Sequence, residues 1–304
     1  MSYSLYPILF MLSSTLSLAL TGLVTKWLTL EITLSWLVFL RFFLPAALLV
    51  LVVGRKLFIL PSKGVNRALY ARAICIASCQ FCFVYALERL TLVESVVLFG
   101  TGPLFIPLLE KLIYGIKLNM LTLLTLAMTF LGVILLAGNV SGIEFRPELL
   151  VGLAAGVFNG GSQVTLYRAS QGDSNAAQIN FWTFLYATIA VSPLLILSSP
   201  SFLEVNQHSS PIVLLAGLLI MAGLIINTQI FRSKAYALAD SGSQLAPLIF
   251  TNLLFTAVLQ FSFYDTVFSV FQVAGMSMIV FANGIAVFLP KWLKNTVWLN
   301  RVKP

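Results

Sequence analysis

The sequence predicts an all-α integral membrane protein of ten transmembrane helices, arranged as two inverted five-helix repeats. Three observations predict it. Of 304 residues, 59% are apolar and 9% charged, against roughly 45–50% and about 25% in soluble domains, and the mean hydropathy is +0.98. Apolar runs of about twenty residues, the length that crosses a bilayer core, recur between charged or Pro/Gly-rich breaks. The basic residues fall almost entirely on alternate connections, as positive-inside sorting requires. Together these exclude a soluble domain, a disordered chain and a water-filled barrel, whose strands would alternate polar and apolar side chains. A net charge of +8 would suggest nucleic acid in a soluble protein; here it is read against the bilayer, and no nucleic-acid partner is expected.

Spans are expected at about 4–25, 32–53, 68–87, 92–114, 119–138, 148–167, 177–198, 211–232, 242–263 and 267–289. No Lys or Arg precedes the first, so it lacks the basic start of a cleaved signal peptide and is expected to be retained. The second carries Arg41 near its middle, and the third carries Cys75, Cys79 and Cys82 at helical spacing. In the fourth, Pro103 and Pro107 stand one turn apart just after Gly100 and Gly102. Each proline removes an amide donor, which leaves the carbonyls of Phe99 and Pro103 to accept from a substrate, water or another helix. A packing kink is the alternative. In the sixth, Gly152, Gly156 and Gly160 make a groove for close helix approach.

With both termini cytoplasmic, that side carries Arg55, Lys56, Lys63, Arg67, Arg72, Lys111, Lys117, Arg168, Arg232, Lys234, Lys291, Lys294, Arg301 and Lys303; the other carries Lys26, Arg89 and Arg146. Fourteen against three sets the orientation, and a missed span would scramble it. Seven of the ten acids fall outside. The chain is expected to divide into repeats at 1–140 and 141–289, followed by a basic tail at 290–304 that carries Trp292 and Trp298 and anchors on anionic lipid. The Asn139-Val140-Ser141 sequon carries no weight in a bacterial membrane. An offset of about 149 relates the ends of the halves: Pro103-Leu104-Phe105 leads through Tyr114-Gly115 to Gly132, and Ala246-Pro247-Leu248 through Phe263-Tyr264-Asp265 to Gly275. Because five is odd, such halves lie in opposite orientations.

Arg41-Phe42, Tyr85-Ala86-Leu87, Pro103-Leu104-Phe105, Lys234-Ala235-Tyr236-Ala237-Leu238, Leu245-Ala246-Pro247-Leu248 and Phe263-Tyr264-Asp265 stand in an order and spacing that resemble the drug/metabolite transporter superfamily, and its EamA-like members in particular. The resemblance covers nearly the whole chain. Where the family usually closes the fourth span with Gly-Glu, this chain has Gly115-Ile116, and only Asp265 keeps an acid at the corresponding place. The resemblance implies a ten-span inner-membrane carrier that moves amino acids, small carboxylates or related amphipathic compounds, commonly outward.

Arg41 lies about 14 Å into a core of roughly 30 Å. Arginine at that depth costs about 2.5–3.5 kcal/mol and must face protein or water. It is either a counter-charge for a substrate or a brace for neighbouring carbonyls. Asn159, Gln163 and Tyr167 recur at i, i+4, i+8 along one face. Gln80, Tyr85, Asn180, Trp182, Asn227 and Asn252 add polar groups on other spans, beside Gln178, Gln229 and Gln260. Any one could be an interhelical hydrogen bond worth about 0.6 kcal/mol. Together with Arg41 and Pro103 they are expected to line a substrate cavity. A single deep Arg among neutral amides suits a zwitterion or carboxylate better than a phosphate. The cysteines have no His or intramembrane acid beside them, so packing is expected and neither metal nor cofactor; His208 is expected to be solvated.

No P-loop, zinc or Ser/His/Asp signature is present, so an enzyme is not expected. The expected function is a secondary transporter working by alternating access on a small-molecule substrate in lipid; a membrane-embedded enzyme or scaffold is the alternative. The sequence does not set the oligomeric state. Every acid but Glu110 is expected at a span end or in a connection, and Glu110 lies within about a turn of the cytoplasmic boundary beside Lys111, so facilitation or exchange is expected in place of tight proton coupling.

Overall fold

The structure, a computed structural model, describes residues 5–90, 92–115, 120–137, 147–197, 210–239 and 242–263, with separate positions between 270 and 285. Among these residues there are helices and no strands. The expected spans one to three are α1 (Tyr6–Leu28), α2 (Leu34–Val53) and α3 (Lys63–Arg89). Span four is two helices, α4 (Leu92–Phe99) and α5 (Gly102–Tyr114), and span five is α6 (Met120–Ala137). Spans six to eight are α7 (Pro147–Ser170), α8 (Ala176–Leu197) and α9 (Pro211–Ala237); span nine is again two helices, α10 (Gly242–Ile249) and α11 (Thr251–Phe263). Six of these, α1, α2, α3, α7, α8 and α9, are long and apolar enough to cross a membrane. Most of the expected tenth span, the tail, His208, Asp265, Lys117 and the sequon lie outside the described residues.

Local chemistry explains the helix ends. Prolines occupy the first turns of α1, α5 and α9, where the missing amide has no partner to lose. Asn175 and Gln178 form a reciprocal capping box at the start of α8, each side chain accepting from the other's amide, at 2.9 and 3.2 Å. Gly115, at φ +66°, turns the chain out of α5 while its amide donates to the Lys111 carbonyl at 3.0 Å. Lys26, near the end of α1, donates to the Leu87 and Leu90 carbonyls and closes α3. Gln171, just past α7, donates to the Tyr236 and Ala239 carbonyls at 2.8 and 3.3 Å and closes α9.

The helices interlock by chain half. α3 runs along α7, α1 along α9, and α2 against α8. α4 and α5 rest on α7, and α10 and α11 on α1. The glycine groove of α7 receives the break in span four: a Cβ on Gly160 would lie 2.9 Å from the Gly102 carbonyl oxygen, and one on Gly156 would run into the Thr101 hydroxyl and stand 2.7 Å from the Leu98 carbonyl. Each break is closed by a threonine. Thr101 donates to the Leu98 carbonyl at 2.7 Å, and Thr251 donates to the Leu248 carbonyl at the same distance. The first break precedes Pro103, which falls in the opening turn of α5; Gly100 and Thr101 interrupt the helix, and only Pro107 is an interior proline there. Large apolar side chains such as Leu112, Ile196 and Ile212 stand more than 80% exposed, as a surface solvated by lipid would.

Candidate functional site

Five helices meet at a small cavity. Its polar wall is Thr21 from α1, Arg41 from α2, Gln80 from α3, and Thr228 and Gln229 from α9; Phe42 and Phe184 form part of its apolar wall. The free volume is about 20 Å³, room for a water and for no organic solute. Arg41 is 4% exposed and donates through Nη1 to the Thr25 hydroxyl. Thr25 and Thr21 each donate to the carbonyl one turn back, at 2.7 Å. Ser14, Ser17, Thr21 and Thr25 are thus a buried hydroxyl stripe along α1, so the guanidinium is bound to a polar face.

Arg41 is not the one deep cation. Arg72 is 0% and Arg232 2% exposed, although both were expected among the charges at the membrane face. The reason is helix length. α3 and α9 each run 27 residues, about 40 Å at 1.5 Å per residue, and neighbouring helices cover their ends. Arg72 donates through Nη1 to Asn180 Oδ1 at 3.1 Å and Thr183 Oγ1 at 3.2 Å, and through Nη2 to Gln229 Oε1 at 2.8 Å. Arg232 Nε donates to Ser14 Oγ at 3.1 Å, and Ser14 donates to the Thr228 carbonyl at 2.8 Å. This polar seam joins the cavity to the α3, α8 and α9 core.

Of the residues expected at the site, Arg41 and Gln80 line the cavity. Asn180 is one layer behind it, holding Arg72 and donating to Ser233 at 2.9 Å. Asn159 and Gln163 form a second group: Gln163 donates to Asn159 at 3.0 Å and accepts from the Tyr236 hydroxyl at 3.2 Å, with Tyr167 edge-on to Tyr236 at 6.1 Å. Asn159 also faces Gly102 at the α5 start, where an added Cβ would lie 2.7 Å from its Nδ2, and Pro103 follows in that turn. Asn252 is buried at the start of α11. The other three point elsewhere. Trp182 donates to the Ile59 carbonyl at 3.2 Å and so fastens the α2–α3 connection to α8. Asn227 bonds Ser17 on α1, and Tyr85 lies under the Arg89 guanidinium at 4.2 Å. Gln178 is a helix cap. Cys75 packs against Gly161, and Cys79 is 1% exposed in the core.

Sequence reasoning missed Thr21 and Thr228 as cavity residues. The spacing of Ser14, Ser17, Thr21 and Thr25 along α1 is a signal that would have found Thr21, and Thr228 stands between Asn227 and Gln229, two of the polar residues the sequence singled out.

Residues 5–138 match the EamA-like transporter family, consistent with the drug/metabolite transporter superfamily that the motifs resemble. A crystal structure of another protein aligns over 95% of this chain and 98% of its own, at a TM-score of 0.68 and 18% identity; it is one of 29 matching chains. At that identity the likeness is one of fold. No curated protein matches.

Proposed function

Taking residues 5–138 as an EamA-like transporter repeat, we propose that the chain is a ten-span inner-membrane carrier that moves a small metabolite outward by alternating access, with repeats at 1–140 and 141–289 in opposite orientation. A two-fold exchange of α1 with α7, α2 with α8 and α3 with α9 turns the α1–α9 contact into the α7–α3 contact and leaves α2–α8 unchanged. The same exchange turns the Lys26 cap on α3 into the Gln171 cap on α9. It also turns the Thr101 break into the Thr251 break, about 150 positions apart, and the interior Pro45 of α2 into Pro193 of α8. Such internal symmetry is what alternating access by two like bodies uses.

The observation that carries the reading is the polar cavity where α1, α2, α3, α8 and α9 converge around a buried guanidinium. A charge in that position is costly unless it has a task. Arg41, Gln80, Thr228 and Gln229 then hold the substrate, and the helices part to admit it. The Asn159–Gln163–Tyr236 group lies beside the α4–α5 break, where it steadies or senses the break as the cavity opens. Purified protein in liposomes, assayed for uptake and efflux over amino acids, organic acids, nucleotides and dyes, tests this. Saturable flux and counterflow of at least one compound are expected; no flux of any would favour a scaffold or a membrane-embedded enzyme.

A further inference from the structure

Resting on that transport reading, a cargo entering the cavity meets three buried cations. Arg41 borders the cavity, Arg72 stands directly behind the lining residue Gln229, and Arg232 follows Thr228 by one turn of α9 within electrostatic reach of Arg72. Their hydrogen bonds go to Thr25, Asn180, Thr183, Gln229 and Ser14, all of them neutral. Each guanidinium also keeps a buried N–H without an acceptor: Nε of Arg41, Nε of Arg72 and Nη2 of Arg232. No carboxylate lines the cavity among the described residues. Glu110, fully buried on α5, and Glu31, in the α1–α2 connection, both lie outside the cavity wall.

Three positive charges in a low-dielectric interior call for counter-charge. A net-neutral zwitterion would bring a positive group along with its carboxylate and leave the excess in place. The expectation of a zwitterion rested on a single deep cation, and Arg72 and Arg232 remove that premise. We propose that the cavity takes a small organic anion carrying more than one negative charge, a dicarboxylate or a phosphomonoester.

The test uses full-length protein in liposomes and three labelled probes, each in counterflow against itself: succinate, glycerol 3-phosphate and alanine. Succinate or glycerol 3-phosphate is expected to move at least tenfold faster than alanine, and whichever of the two is favoured identifies the anionic group. Gln229→Glu gives Arg72 an internal counter-charge. It is expected to raise the melting temperature in detergent and to lower anion flux at least tenfold. Alanine flux equal to or above both anions would overturn the inference while leaving the transport reading intact, as would a folded Gln229→Glu carrying anions at the wild-type rate. If that variant does not fold, the wild-type rate ratio decides alone. Absence of flux for these probes and for the wider panel would overturn the transport reading, and the inference with it.

Discussion

At the scale of single residues, legibility in the sequence depended on the surroundings of each group. Arg41 stands alone in an apolar run, and its depth could be read from the numbering. Arg72 and Arg232 stand near basic connections, so a hydropathy window ends its span beside them; only the packing of α3 and α9 against α7, α8 and α1 buries them. Trp182 and Asn227 had the right chemistry for a site but the wrong direction, which a helical period does not resolve to better than a neighbouring helix. The two kinds of residue separate in kinetics. Gln80→Leu is expected to raise KM for the transported solute about tenfold or more, through loss of a contact of about 1.5 kcal/mol. Trp182→Phe, which removes the bond to Ile59 and trims the ring packed beside Phe181 and Tyr186, is expected to leave KM within about twofold. Concentration-dependent uptake in liposomes checks both, and a KM rise in Trp182→Phe alone would return that indole to the site.

Whole elements were legible where composition changes abruptly. Gly100, Gly102 and Pro103 announced the interruption of span four, and the Gly152–Gly156–Gly160 groove announced a close partner, but neither said that the two were in contact. Pro103 falls after its break and Pro247 before its own, in α10, whereas each break is closed by a threonine, Thr101 and Thr251, near the expected offset of about 149. The α7 groove makes a prediction with a sign. Gly156→Ala would press a methyl into the Thr101 hydroxyl and the Leu98 carbonyl, and overpacking of this kind costs about 1–3 kcal/mol. Gly223→Ala meets nothing within 4 Å and is expected to be neutral or to stabilise by up to about 1 kcal/mol from helix propensity. Thermal unfolding in detergent should show a lower melting temperature for the first and no decrease for the second. Equal behaviour would mean that the break does not rest in that groove.

For the whole molecule, the class of fold followed from hydropathy and charge, while the way the halves interlock did not, because contacts such as α1–α9 and α3–α7 join residues far apart in sequence. Removing the buried Arg72 and Arg232 from the charge tally leaves twelve basic residues against three, so the expectation that both termini are cytoplasmic is unchanged. Reporters fused after Lys303 are expected to be active only when they are of the kind that works in the cytoplasm; strong activity of a periplasmic reporter there would reverse the topology.

In the proposed transport cycle the Arg41 cavity opens alternately to the two sides. In a chain with Cys75, Cys79 and Cys82 replaced by Ala, Thr228→Cys places one thiol in the cavity wall. Its reaction with a membrane-impermeant thiol reagent would be followed in right-side-out and in inside-out vesicles. Labelling from both faces is predicted, with a saturating transported anion on one side slowing one rate and speeding the other. Labelling from a single face whether or not the anion is present would contradict the account.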